Sequence, residues 1–160
     1  PVPVSPNRLR NGPQAGRAMV AAAGPLSNLL LAAAAALPIR LGLIDWHSPF
    51  LVPATVRDWS AGEYLGLYLS SLIMFNVVLA VFNLLPVAPL DGFSVAVGLL
   101  PRDLSRSVAR LEPYGPGILL VLLVLPIVSG GSVSLLYDVM SPAINTLTEL
   151  FSGGGARALG

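Results

Sequence analysis

Between Glu63 and Arg102 the chain carries a single charge, Asp91, within the stretch Asn83-Leu84-Leu85-Pro86-Val87-Ala88-Pro89-Leu90-Asp91-Gly92. A run this long and this apolar suits a bilayer. An ionised side chain inside it is costly unless it faces a bundle interior, where it pairs, carries protons or binds ions. Asp91 is therefore a candidate functional residue. Pro86 and Pro89 lack an amide hydrogen and clash with a continuing helix, so the helix entering from Tyr64 is expected to stop near Leu85 and the chain to run extended up to Asp91. At membrane depth such backbone is tolerated only where protein buries it or where it lines a cavity. Spacing alone leaves a second reading open: Leu90-Asp91-Gly92 also fits a turn in which Asp91 caps a short helix over Phe93 to Leu100.

The composition extends this inference to the whole chain. Charged residues are 11% of the total and hydrophobic ones 54%, whereas soluble domains carry about a quarter charged residues. The expected fold class is an all-α integral membrane protein of about four transmembrane segments, with a proline-broken segment at Asp91. A formal charge of +1 and the lack of a dense basic cluster exclude a nucleic-acid partner. With no cysteine, disulfides and thiolate metal sites are excluded too.

Taken in order, residues 1 to 15 are proline-rich and read as an extended lead-in. Gly16 to Leu37 is long enough, at about 1.5 Å of rise per residue, to cross a hydrocarbon core of roughly 30 Å. Its small residues, among them Ala18, Ala21, Ala22, Gly24, Ser27 and Ala32 to Ala36, suit close helix packing, and Pro25 should free the Ala21 carbonyl. Asn28 is the polar group expected to point inward. Residues 38 to 62 form a loop in which Trp46 and Trp59 suit the membrane interface. The single histidine, His47, lies there without a partner one turn away, so a surface role is favoured over metal ligation.

Tyr64 to Leu85 is the second expected helix, with Asn76 and Asn83 on one face leading to Asp91. Asn76 is expected to bond between helices. Phe93 to Leu100 is too short to span, Pro101 to Pro113 reads as a charged turn, and Tyr114 to Val128 is a third apolar segment. The last segment, Val133 to Phe151, sets a stripe of Asp138, Ser141, Asn145 and Thr148 against an apolar face of Leu136, Val139, Ala143, Leu147 and Leu150. It either spans or lies on the interface, and Ser152 to Gly160 is a tail. The domain proper covers residues 16 to 151. If all four segments cross, Arg8, Arg10, Arg17, Arg102, Arg106, Arg110 and Arg157 share one side, against Arg40 and Arg57. That puts the N-terminus and the Asp91 end of the second helix toward the cytoplasm.

The pattern Asn83-x-x-Pro86-x-x-Pro89-Leu90-Asp91-Gly92 resembles the second signature of the site-2 protease family, zinc metalloproteases that cut within membranes. Gly24-Pro25-Leu26-Ser27-Asn28 is similar to the Gly-Pro-x-x-Asn element of that family's core helix. Pro1-Val2-Pro3-Val4 resembles the extended segment before it, and Arg110-Leu111-Glu112-Pro113-Tyr114-Gly115 resembles a stretch following the aspartate in small bacterial members. The resemblance implies that Asp91 is the third protein ligand of zinc. It implies contact with substrate or support of the carboxylate for Asn83, Asn28, Gly24, Pro25, Pro86, Pro89 and Gly92. It further implies a membrane-embedded protein or peptide as substrate and a place in the bacterial cytoplasmic membrane.

One departure stands out. The family's His-Glu-x-x-His helix, which supplies two zinc ligands and the base, is absent from these residues. The expectation is the C-terminal part of a protease, catalytically incomplete by itself. Its rivals are a non-catalytic membrane scaffold of the same fold and a small transporter using Asp91 as an ion site.

Overall fold

The computed structural model describes residues 13–50 and 58–154. Among these residues every regular element is helical: α1 (Pro13–Arg40), α2 (Ala61–Asn83), α3 (Asp91–Leu99), α4 (Arg102–Ala109), a 3-10 turn (Glu112–Tyr114), α5 (Gly115–Val128) and α6 (Leu135–Ser152). Three stretches, Gln14–Arg40, Ala61–Asn83 and Arg102–Val128, are long and apolar enough to cross a membrane. The extended lead-in expected over residues 1 to 15 falls outside the described residues up to 12, and residues 13 to 15 are already helical. Arg8, Arg10, Arg57 and Arg157, and the tail from 155 on, lie outside them as well.

α1 is longer at both ends than the apolar run suggests. Pro13 needs no amide donor in a first turn, and its fixed φ suits that position. At the other end Gly42 takes φ 69°, where the Gly42 and Leu43 amides donate to the Ile39 and Pro38 carbonyls, both at 3.0 Å. This left-handed closure leaves fewer orphan carbonyls than an open helix end. α2 starts with a reciprocal box: the Ser60 amide donates to Glu63 Oε2 at 2.7 Å, and the Glu63 amide donates to Ser60 Oγ at 3.4 Å. It ends at Asn83, and residues 84 to 90 are non-helical turns, closed by bonds from Val87 N to Leu85 O (2.8 Å) and Leu90 N to Val87 O (3.0 Å).

The segment from Pro101 to Pro113, expected as a turn, contains α4 instead. Pro101 stands at its N-cap, Asp103 in its first turn and Arg106 in its last, so the charges complement the helix dipole. Asp103 and Arg106 also pair at 3.8 Å. Its polarity hid it from a reading guided by apolar runs.

The chain divides into two compact units, one of Pro1–Leu26 with Phe82–Asp138, the other of Ser27–Val81 with Val139–Gly160. The second unit buries small and medium side chains: Ala32, Ala35 and Ala36 of α1, Ser70, Ile73 and Val77 of α2, Met140, Ile144 and Thr148 of α6. Leu30, Leu31 and Leu37 of α1 and Phe75 of α2 point outward. Small residues inside and large apolar ones outside is the arrangement of helices packed in lipid, where close backbone approach holds helices together. α6 follows it: Thr148, from its polar stripe, is buried with its hydroxyl toward Met74 Sδ (3.6 Å), while Val139 and Leu150 are exposed. Asn76 is buried, and its amide donates to the Leu72 carbonyl of its own helix at 2.8 Å rather than to a neighbouring helix. In lipid this back-bond satisfies the donor without any partner element.

Candidate functional site

The first unit is built around the short helix α3. Asp91 is its first residue, and the N-cap is Leu90, which has no side-chain cap bond. The helix therefore forms without Asp91 capping it, and the carboxylate is left for another role. Asp91 is half-buried and makes no hydrogen bond or ion pair with a described residue.

Close backbone approaches fix where that carboxylate lies. A β-carbon at Gly24 would stand 2.9 Å from Asp91 Oδ2, so the acid rests against the bare backbone of α1. A β-carbon at Gly92 would overlap the carbonyls of Leu84 and Leu85, so the start of α3 folds back onto the beginning of the loop, where α2 has just ended. One at Gly115, the first residue of α5, would overlap the carbonyl and side chain of Ala88. The loop carrying Pro86 and Pro89, both exposed, with the Ala88–Pro89 peptide cis, is thus braced on both sides. Asn83, half-buried, is the last residue of α2 and leads into it.

Gly24 lies eleven residues into α1, about 16 Å along the axis. Asp91 is therefore deep along a helix long enough to span a bilayer. Pro25 beside it is buried without interrupting α1, and Asn28, one turn further on, is half-buried.

The other acids and the histidine do not join Asp91. Among the described residues no three of His, Cys, Asp and Glu come together as a metal site would require. His47 is half-buried rather than loose on the surface: its Nδ1 lies 3.1 Å from the Asp45 carbonyl, its amide donates to Ser70 Oγ at 3.1 Å, and its ring packs 4.8 Å from that of Trp59. Asp138 is exposed and within 3.4 Å of Ser134 Oγ.

Sequence reasoning missed Gly98, Gln14 and the Ser60–Glu63 box, and gave Gly115 only as the end of the family-like stretch from Arg110. Gly115 and Gly98 sit in apolar segments, where an isolated glycine signals close backbone approach. Ser60-x-x-Glu63 is a capping signature that could have placed the start of α2. Gln14, which binds the far end of α3, carries no sequence signal.

A helical chain whose Asp91 carboxylate has no partner among the described residues, and rests against a glycine of a helix long and apolar enough to cross a membrane, is similar to two curated proteins. It is 32% identical over 154 residues, 95% of its length, to YwhC of Bacillus subtilis. To Rip2 of Mycolicibacterium smegmatis it is 31% identical over 121 residues, 76% of its length. Both relatives are named zinc metalloproteases. The chain spans 64% of the length of YwhC and 41% of that of Rip2. No family model matches it, and no solved structure matches it significantly. The class defined by fold and relatives is a multi-pass integral membrane protein related to zinc metalloproteases. Within that class, the two relatives support the resemblance of the chain to the site-2 protease family.

Proposed function

We propose that this chain is the aspartate-bearing part of a zinc-dependent intramembrane protease, with Asp91 as the third protein ligand of the metal. The observation that carries the reading is the Asp91 carboxylate itself, without a hydrogen-bond or ionic partner among the described residues and set against Gly24 deep along α1. A carboxylate free of competing hydrogen bonds suits one position of a zinc site. The other positions need donors beyond the described residues, and a His-Glu-x-x-His helix outside this chain supplies two histidines and a glutamate base. Zinc bound there would supply a Lewis acid toward the scissile carbonyl and would lower the pKa of a bound water so that hydroxide is available near neutral pH.

The chain's own residues do the positioning. Gly24 leaves room for the carboxylate, and Gly92 lets α3 start at the loop. Pro86 and Pro89 keep the segment between α2 and α3 out of helix, as a proline-broken wall of the site within the bilayer. Asn83 and Asn28 orient either the substrate backbone or the acid, as groups behind metal ligands do. The substrate is a membrane-embedded protein or peptide. Residues 16 to 151 form one domain in a bacterial cytoplasmic membrane. α6 either makes a fourth crossing or lies along the interface, and the Asp91 end of α2 faces the cytoplasm.

The test is to determine the complete natural polypeptide, reconstitute it with a membrane-spanning peptide, strip it with a chelator and add zinc back. Zinc-dependent cleavage supports the reading. A complete polypeptide without a His-Glu-x-x-His helix, or one that binds the peptide without cutting it, contradicts the reading and returns the scaffold. Asp91-dependent ion flux without bound zinc would return the transporter.

A further inference from the structure

α3 is held against α1 at both of its ends. At its start Asp91 touches Gly24. At its far end a β-carbon on Gly98 would overlap that of Ala18 and come within 3.1 Å of the Gln14 carbonyl. The two helices therefore run in opposite senses along the first turns of α1, with residue 91 level with 24 and residue 98 level with 18. The glycine contacts bring α3 close to α1, and a polar contact at its far end adds to what holds it along the axis.

Gln14 sets the register. Its Nε2 donates to the carbonyls of both Val97 and Leu100, each at 3.0 Å. These bonds answer a deficit written in the sequence. In a continuing helix the Val97 carbonyl would accept from the amide of residue 101, but residue 101 is proline and has none. α3 ends at Leu99, and its C-cap amide, on Leu100, is spent on Ala96. One side-chain amide, eighty-three residues away in sequence, thus serves two acceptors at the open end of the helix that carries Asp91.

We infer that Gln14 is a positioning residue for the Asp91 carboxylate. It fixes α3 along α1 so that the acid meets Gly24 and not the helix turn on either side. The inference rests on the reading of Asp91 as a zinc ligand. Metal ligands tolerate displacements of only a few tenths of an ångström, so loss of this lock moves the ligand out of place while the helices persist.

The experiment uses the complete polypeptide containing this chain. Gln14→Glu keeps size and removes both donors. Gln14→Lys restores donors and suits a helix C-terminus. Three quantities are read for each variant: hydrogen exchange of the amides of residues 94–100, zinc retained during a chelator titration, and kcat and KM for a membrane-spanning peptide. Gln14→Glu is expected to speed exchange in α3 at least tenfold without speeding it in α2, to weaken zinc retention at least tenfold, and to lower kcat with KM little changed. Gln14→Lys is expected to recover most of each. Wild-type zinc retention and kcat in Gln14→Glu, with both lost in Asp91→Asn, would overturn the role of Gln14 alone. Zinc retention and cleavage surviving in Asp91→Asn would overturn the ligand reading and the positioning role with it.

Discussion

Gly24 and Asp91 meet so closely that a β-carbon on the glycine would stand 2.9 Å from the aspartate Oδ2. Sixty-seven residues separate them in sequence, yet the two family-like motifs that carry them are joined at this point. At the contact the first motif offers a backbone without a side chain, and the second fills that space with a carboxylate.

Gly24→Ala is the direct test of that fit. The new methyl reaches the carboxylate end of Asp91, which can rotate away, so α1 should still form and insert. The acid should not keep its place. Zinc content and peptide cleavage in the complete protein are expected to fall at least tenfold, with helical content by circular dichroism unchanged. Gly24→Val should abolish cleavage.

Gly115 and Gly117 lie two residues apart and should respond oppositely. A β-carbon at Gly115 overlaps backbone atoms of Ala88, which cannot move without disturbing the loop before Asp91, whereas one at Gly117 meets nothing within 4 Å. Gly115→Ala is expected to destabilise the protein by about 1 to 3 kcal/mol, the range for forced overpacking. Gly117→Ala is expected to stay within about 0.5 kcal/mol of wild type. Thermal unfolding in detergent measures both.

The Ser60–Glu63 box fixes the start of α2 next to Trp59, whose ring contacts His47 and Tyr64. Ser60→Ala removes the hydroxyl that accepts the Glu63 amide. It is expected to lower the melting temperature by a few degrees and to raise hydrogen exchange in the first turn of α2, while Ser60→Thr, which keeps a hydroxyl that accepts from the Glu63 amide and donates to the Glu63 carboxylate, should behave like wild type. The α3 amides should not respond.

The sequence makes the membrane character and most helix positions legible, because uncharged runs and prolines act locally. α2 ends two residues before the expected Leu85, since the turn ahead of Pro86 needs room to close. α1 exceeds its apolar run because Pro13 and Gly42 complete its ends. α4 escaped notice because its helix-forming signal lies in charges rather than in apolar periodicity. Asp91 stands out as the lone charge, and resemblance ties it to Gly24. What no local pattern carries is the distance between them, or the bonds from Gln14 to the end of α3, because these depend on how two stretches of chain meet after each has become a helix. Arg17 and Glu112 are a further case: they pair at 3.0 Å, linking α1 to the turn before α5, across ninety-five residues.

The central claim is that Asp91 holds zinc. The measurement that tests it most directly is the zinc content of the complete protein, wild type against Asp91→Asn, determined by mass spectrometry on purified, folded samples alongside cleavage of a membrane-spanning peptide. About one zinc per chain is expected in the wild type, and loss of both metal and cleavage in a variant that inserts and folds normally. An Asp91→Asn protein that keeps its zinc and cuts at the wild-type rate would contradict that claim.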